Sequence, residues 1–458
     1  MKLRQKVILA AVTAVFSGGV LAAVSAEEAK QLGGPVLTEF GAERAGNKEG
    51  TIPAYKAELI KPPAGWDVRK HGYPDPWNEK PLFSITAQNA AQYADKLDAM
   101  ILLFKKYPNY RMDIYPTHRT AYYPKAVLDN TAKNATACKG ADDDLKLDGC
   151  YGGILFPIPK TGRQEMWNHE LTYSSWAAET DGLQTWVIPP AGTPALQSVL
   201  NIYTRWDLFN PATMGAPLKP GQLYYIPRVD FTGPARQVGN KLLLAYSIDT
   251  IGIGSRIYSY IPGQRRVKLA PDLAYDTPSP ASGGASTMDE QSGYLGALDR
   301  YDFKLLGKKE KFIMYNNFVM TDPRACPDSK LVSTKNFPNP DCVRWELHRV
   351  WKVEGKLLPG FRHIYPRRVL YWDEDTHGAG SYESYDASGN LYRVGNTVAY
   401  PFFDVGGVNS QSSMQMDLIT GIWAASGSMG AEGGAWHPAP ARDPRFYTPE
   451  ALAGEGIR

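Results

Sequence analysis

Alternation of apolar and polar positions is clearest between Arg344 and Thr376. Trp345, Leu347, Trp351 and Val353 share one parity, and Glu346, His348, Lys352 and Glu354 share the other. Period two predicts a strand with one buried face and one wet face. Arg349 on the apolar parity and Val350 on the polar one are the exceptions. Gly355 to Gly360 predicts a turn, and Val369 to Trp372, apolar on both parities, predicts a second strand that ends in solvent at Asp373-Glu374-Asp375. A two-stranded ribbon does not bury its apolar face alone. Either a packed core or a bound ligand must lie across it.

Strand patterns recur from about Trp167 onward. Candidates are Gln184 to Ile188, Leu223 to Val229, Lys241 to Ile248, Ser255 to Ile261 and Arg266 to Leu269, the last two joined by a Pro262-Gly263-Gln264 turn. Tyr301 to Leu306 and Phe312 to Val319 flank Lys308-Lys309-Glu310-Lys311, which reads as exposed, and Tyr382 to Tyr385 and Leu391 to Val394 flank the turn signal Asp386 to Asn390. Residues 278–297, rich in Pro, Ser and Gly, read as a mobile loop. One clear helix starts near Thr86, a possible N-cap: Ala90, Ala94, Leu97, Ile101 and Phe104 recur at threes and fours, and Tyr107-Pro108 stops it. The strand spacing predicts one antiparallel sheet built mostly from hairpins, curved or rolled.

The ends of the chain differ from this middle. Lys2, Arg4 and Lys6 precede a mostly apolar run from Val7 to Ala23, and Val24-Ser25-Ala26 ends in a small residue, the pattern of a secretory signal cleaved after Ala26. That run is short for a spanning helix and no second run of about 18 apolar residues follows, so the expectation is an exported, periplasmic chain that does not span a membrane. Residues 27–82 are dense in proline and predict an arm over the body; 83–430 predict one large β-rich domain; 431–458 predict a loosely held tail. The whole chain has 50 Lys+Arg against 47 Asp+Glu, and the signal alone holds three of the basic residues. The mature chain therefore balances, which argues against nucleic acid as a partner, since phosphate binding needs a basic surplus on one face.

The four cysteines fall into two local couples. Cys138–Cys150 and Cys326–Cys342 close loops of 12 and 16 residues and predict two disulfides in an exported chain. The alternative, a metal site, does not have zinc-ligand spacing, and no metal is expected. Asp142-Asp143-Asp144 lacks the alternating ligands and closing Glu of a calcium loop and reads as a solvated turn.

Catalytic patterns are weak. There is no Walker loop, no HExxH and no strand-to-helix G-x-S-x-G. His169 beside Glu170 is a conceivable base with its orienter, but neighbours on a strand point to opposite faces. His348 and His363 are placed to face each other across the ribbon. Glu374 with Asp373 or Asp375 offers a carboxylate couple of the kind used in glycoside hydrolysis. Arg265, Arg266, Arg367 and Arg368 offer cations to lipid headgroups, or simply to solvent at strand ends.

Five phrases add a resemblance: Tyr93 to Leu97, Tyr110 to Arg119, Tyr260 to Val267, Arg300 to Lys304 and Arg344 to Trp351. Over about residues 35–430 the chain resembles the exported Gram-negative family catalogued as DUF1329. That resemblance implies a LolA/LolB-like fold, mainly β with a few helices: a curved antiparallel half-barrel with helices across a concave face that can hold acyl chains. It also implies an outer-membrane companion protein and an RND-type exporter as partners, with no catalytic motif and no cofactor. No cysteine marks a lipid anchor, so a soluble shuttle is expected. The function expected is a periplasmic carrier or chaperone for a lipid, lipoprotein acyl chains or another hydrophobic molecule, with Tyr246, Ile257, Trp345, Leu347 and Trp351 as apolar lining. The alternatives are an exported hydrolase acting on glycans or lipids through Glu374 or His169, and an envelope protein-binding module without a ligand.

Overall fold

The computed structural model describes residues 24–454 apart from positions 58 and 62. Most of the expected signal segment, residues 1–23, lies outside the described residues. β1 (Phe83–Ile85) and β2 (Met112–Ile114) form a short antiparallel pair, joined to the large sheet where Ile114 meets Trp345. β3 (Lys139–Ala141) and β4 (Lys146–Asp148) make a separate hairpin. A first antiparallel run follows: β5 (Ala177–Ile188), β6 (Ala195–Arg205), β7 (Leu223–Gly233), β8 (Lys241–Ser247), β9 (Ser255–Ile261) and β10 (Arg266–Leu269). The second run is β11 (Tyr301–Met314), β12 (Trp345–Leu357), β13 (Arg367–Asp373), β14 (Gly380–Tyr385), β15 (Leu391–Pro401), β16 (Val408–Asp417) and β17 (Trp423–Ser428). β17 pairs with β5, so the runs join in the middle and leave β10 and β11 at far edges of an open sheet.

The sheet is bent because its pairing is repeatedly interrupted. Register shifts fall at Asp181/Leu183 in β5 and Ser426/Ser428 in β17, where Gly182 and Gly427 take φ of 83° each. A left-handed residue in a bulge increases twist and bends the strand, and glycine adopts it without a Cβ penalty. The bend closes round the helix Gly162–Glu170, all of whose residues are buried. Trp372 of β13 donates its indole N–H to the Met166 sulfur at 3.5 Å, and Tyr224 of β7 meets Trp167 edge-on with ring centres 6.2 Å apart. Strands from both runs thus hold one helix on their concave side. This is a mainly β half-barrel with few helices.

Residues 270–300 connect β10 to β11 and must cross from one edge to the other. They do so over the concave face: Ser198 of β6 donates to the Ala281 carbonyl at 2.8 Å, Ser292 donates to Gln411 of β16 at 3.2 Å, and Arg368 of β13 donates to Asp289 at 2.8 Å. The segment expected to be a mobile loop is a buried strap, with Met288, Asp289, Glu290 and Tyr294 all inside. Its serines and glycines serve tight turns and hydrogen bonds to the sheet.

Several other sequence expectations change for physical reasons. Residues 162–170 form a helix that runs past Trp167, from about which strands were expected. The apolar stripe from Ala90 to Phe104 is cut into short helical pieces at Asp98, which has φ 52° and turns its carboxylate to Lys309, Lys311 and Lys352. β11 runs unbroken through Lys308 to Lys311 apart from a bulge, and the Lys311 side chain is 0% exposed, its ammonium 4.2 Å from the Tyr371 ring centre. The C-terminal residues, expected to be loosely held, contribute β18 (His437–Pro438) against β5 and bury Trp436 and Leu452. Both expected disulfides are formed.

The polar parity of β12 is the largest departure. Glu346 and His348 are 0% and 1% exposed. The N-terminal arm and residues 315–344 cover this face, and the buried charges survive because each has a partner. Glu346 accepts from Arg344 at 2.6 Å, from Asn316 at 3.0 Å and from the His118 backbone N–H at 2.9 Å. Arg119 grips Asp375 with two bonds of 2.6 and 2.8 Å and donates to the Glu43 carbonyl of the arm at 2.8 Å.

Candidate functional site: an apolar cavity beneath a strap

The concave face is not completely filled. Between β6–β8 and the strap lies a cavity of about 120 Å³. Leu200, Ile202, Val229, Phe231, Leu242 and Leu244 form its apolar wall. The opposite wall, from β16 and β17, is polar: Gln411, Ser413, Gln415 and Ser426. Those polar groups are occupied with one another. Ser426 donates to Gln415 at 2.8 Å, Gln415 donates to Ser413 at 2.7 Å, and Tyr225 donates to Gln411 at 2.9 Å. The cavity therefore presents a mainly apolar surface, and the polar groups of this wall are largely engaged.

A second cavity of about 210 Å³ lies beside it, lined by Tyr246, Ile257, Leu273 and Leu295. Met288 of the strap lines both cavities. Methionine is unbranched and adaptable, suited to a partition that yields. Of the five residues expected as apolar lining, Tyr246 and Ile257 border this second cavity. Trp345 and Leu347 are packed in the core, and Trp351 is half-buried under the Lys308 ammonium, 4.6 Å from the ring centre. All three sit on β12, next to the β11 edge and away from the strands that line the cavities.

A family model described as "Protein of unknown function (DUF1329)" matches residues 84–453. The chain belongs to the DUF1329 family. A relative in Pseudomonas aeruginosa strain PAO1, itself described as uncharacterized, is 37% identical over 444 residues, covering 96% of this chain and 95% of its own. A solved DUF1329 family protein from Desulfovibrio piger overlays with a TM-score of 0.42 and 14% identity, covering 64% of this chain and 97% of its own. A putative outer membrane lipoprotein-sorting protein domain from Vibrio parahaemolyticus gives 0.40 and 12% over 63% of this chain and 97% of its own. A LolA superfamily protein from Nitrosomonas europaea gives 0.35 and 11% over 63% of this chain and 98% of its own.

In this DUF1329 protein the polar residues singled out in the sequence are tied into the framework. His169 sets Nδ1 2.8 Å from the His377 carbonyl and Nε2 3.2 Å from the Tyr294 carbonyl, of which its neutral ring can donate to one, and it stacks on Trp372 with ring centres 3.5 Å apart. Burial pushes it down to about 4, so at neutral pH it is uncharged. Glu170 accepts from the Tyr224 hydroxyl at 2.7 Å and from the Gly296 N–H at 3.3 Å. With no cation among those partners, burial pushes it up to about 8. Glu374 and its neighbours are likewise engaged. Glu374 accepts from Arg349 at 2.5 Å and from Lys308 at 2.7 Å, while Asp373 accepts from His348 at 3.1 Å. His348 and His363 do not face each other: His348 pairs with Lys311 of β11, whereas His363 follows β12 and bonds Asp289 of the strap at 3.0 Å. Arg368 is fully buried on the same Asp289, Arg367 pairs with Glu354 at 2.7 Å, and Arg265 and Arg266 are exposed.

His348, Asp373 and Asp375 bring three ligand-type atoms within 4.8 Å of one another. Their chemistry fits ion pairing rather than a metal. Burial opposes a charge on His348, but Asp373 and Glu346 outweigh it and raise the imidazole to about 9, so both ring nitrogens carry protons. A metal needs a neutral imidazole nitrogen, and Asp375 is already held by both Arg119 bonds.

The cavity wall itself was missed in the sequence. β6 has a usable signal, since Leu196, Leu200 and Ile202 share a parity, but β16 and β17 are mostly Ser, Gln, Met and Ala and carry no alternation. Glu290, a strap residue buried on Arg393 and Tyr365, carries the local signal Thr287-x-x-Glu290, a capping box that marks a helix start rather than a site.

Proposed function

We propose that this protein is an exported carrier or chaperone that holds a lipid, lipoprotein acyl chains or another hydrophobic molecule between its sheet and its strap. The observation that carries this reading is the pair of cavities, the first mainly apolar and the second mixed, that Met288 lines on both sides. A dry cavity of roughly 150 Å³ lined by Leu, Ile and Phe accepts a benzene-sized guest. Either cavity alone is therefore small, whereas moving Met288 would join them into a site near the lower bound of roughly 300 Å³ for small-molecule pockets. Each methylene buried there contributes roughly 0.8 kcal/mol. Tyr246 and Ile257 line the second cavity. Two disulfides support an oxidising compartment, and no helix among the described residues is long and apolar enough to cross a membrane. Binding rather than catalysis is the role we assign, since His169 and Glu374 are buried among framework partners. The partners we assign are an outer-membrane companion protein and an RND-type exporter, placing the protein in outer membrane biogenesis.

Native followed by denaturing mass spectrometry of the gently purified protein tests the reading. An extra mass released on denaturation and identified as a hydrophobe is expected. Leu244→Trp, which fills the first cavity, should remove it, and Met288→Ala should admit a longer chain. A bare polypeptide mass that stays bare after incubation with membrane extract refutes the carrier reading and favours a protein-binding module.

A further inference from the structure

The end of the half-barrel opposite the chain crossings of Asp249 to Gly254 combines charge and exposed hydrocarbon in a way the framework does not require. Residues 257–271, which include most of β9, its turn and β10, contain Arg265, Arg266 and Lys268 and no acidic residue. The neighbouring turn between β7 and β8, residues 234–240, adds Arg236 and no acid. Among the described residues none of these four cations is in an ion pair, and all four are exposed, Arg236 donating to the Leu196 carbonyl at 3.0 Å and to the Gln197 side chain at 3.1 Å. The neighbouring acids are engaged or displaced: Asp230 accepts from Arg228 through bonds of 3.0 and 3.1 Å, Asp249 lies beyond the opposite end of β8, Asp272 lies past the far end of β10, and Glu450 is on the C-terminal helix that packs on the other face of β8 to β10. In a chain with 50 basic and 47 acidic residues this is a local surplus.

Two large apolar side chains stand in the middle of it. Val238 is 54% exposed and Ile261 43% exposed. They belong to one tip, because the two turns touch: Gly239, at φ 86°, lies so close that a Cβ on it would be 2.8 Å from the Pro262 ring. Ile261 pairs directly with Arg266, which puts the apolar residue and the cation on one face of the hairpin. Charged residues on an edge strand guard against edge-to-edge pairing, and that suffices for Lys268. It does not account for Val238 and Ile261, whose exposure works against such protection.

We propose that the paired turns 234–240 and 261–266 dock this protein on an anionic lipid surface, with the arginines at the headgroups and Val238 and Ile261 at the acyl boundary. Charge complementarity selects an anionic bilayer, and the shallow apolar tip adds the second contact that stable but reversible attachment needs. Phe231 and Leu242, at the roots of the same turn, line the first cavity, so docking brings the cavity wall toward the lipid. The inference does not depend on what the cavity holds.

Flotation of the full mature chain with phosphatidylglycerol-containing vesicles and with pure phosphatidylcholine vesicles tests it. Binding is expected on the first and not the second, and high salt should weaken it. Arg265→Glu with Arg266→Glu should lower partition roughly tenfold or more, and Val238→Asp with Ile261→Asp should lower it comparably. Lys48→Glu with Lys105→Glu, two exposed lysines elsewhere, should leave it within about twofold, since distant surface charge is screened. Circular dichroism of each variant establishes that it is folded; all six positions are exposed. No phosphatidylglycerol-dependent binding, or an equal loss in the Lys48/Lys105 variant, overturns the proposal.

Discussion

Glu170 makes the fold sensitive to pH in a way that one substitution isolates. Its carboxyl lies at the end of the helix held inside the sheet, bonded to Tyr224 on β7 and to Gly296 on the strap. Burial raises it from 4.5 to about 8. At about 1.4 kcal/mol per pH unit, the folded state prefers the protonated form by about 5 kcal/mol more than the unfolded chain does. The sign follows from proton binding. Below about pH 4.5 both states hold the proton and this contribution is fully present. As pH rises towards about 8 the unfolded chain ionises freely and the folded one does not, so stability falls throughout that window and levels off above it. Glu170→Gln keeps the shape and removes the proton. Urea unfolding followed by tryptophan fluorescence at about pH 5 and about pH 8.5 should show wild type losing several kcal/mol more than the variant between the two. The variant is free to be somewhat less stable at the lower pH, because its amide N–H groups need acceptors. Parallel loss in both proteins, or a Glu170 carboxyl that titrates near 4.5 by NMR, would refute the argument.

Two further outcomes test the buried charges. Arg119→Met leaves Asp375 unpaired under the arm and should cost about 3–5 kcal/mol, with much of the loss recovered when Asp375→Asn is added; limited proteolysis should then cut between Glu43 and Pro53, whose carbonyls Arg119 holds. His348, raised to about 9, contributes stability that is complete below about pH 6.5 and disappears as pH rises through about 9. Its imidazole should remain protonated to about that pH by NMR, and titration near 6.5 would show that the Glu346–His348–Asp373 chain does not form.

Much of the architecture was legible because hairpins are local. Ile261 opposite Arg266 and Leu269 opposite Tyr258 form the pairing that Pro262-Gly263-Gln264 predicts. The family phrases carried the rest of the outline, including a concave face. What alternation did not reveal is which polar faces are buried. Glu346, His348 and Lys352 read as wet because parity reports polarity, not partners, and their partners Arg344, Asp373 and Asp98 come from a flanking loop, the next strand and a broken helix. Asp98 defeats the helix pattern for the same reason, since three lysines outweigh the local preference for a continuous helix. The lining expectations split along this line as well. Tyr246 and Ile257 lie on strands whose concave face is only partly filled, whereas Trp345 and Leu347 sit where the core is complete, and residue type alone does not separate the two.

The strap has a mechanical side. It is covalently continuous with β10 at one rim of the sheet and β11 at the other, and it is pinned between them at Ser198, Gln411 and Arg368. It therefore works as a tie across an arch. A guest wedged beneath it would push the rims apart and load those pins together, so swelling of the interior would be transmitted to strands far from the guest. Cutting the chain at Gly283-Gly284 would leave every strand present and free the rims to spread independently, and the half-barrel would lose its stop.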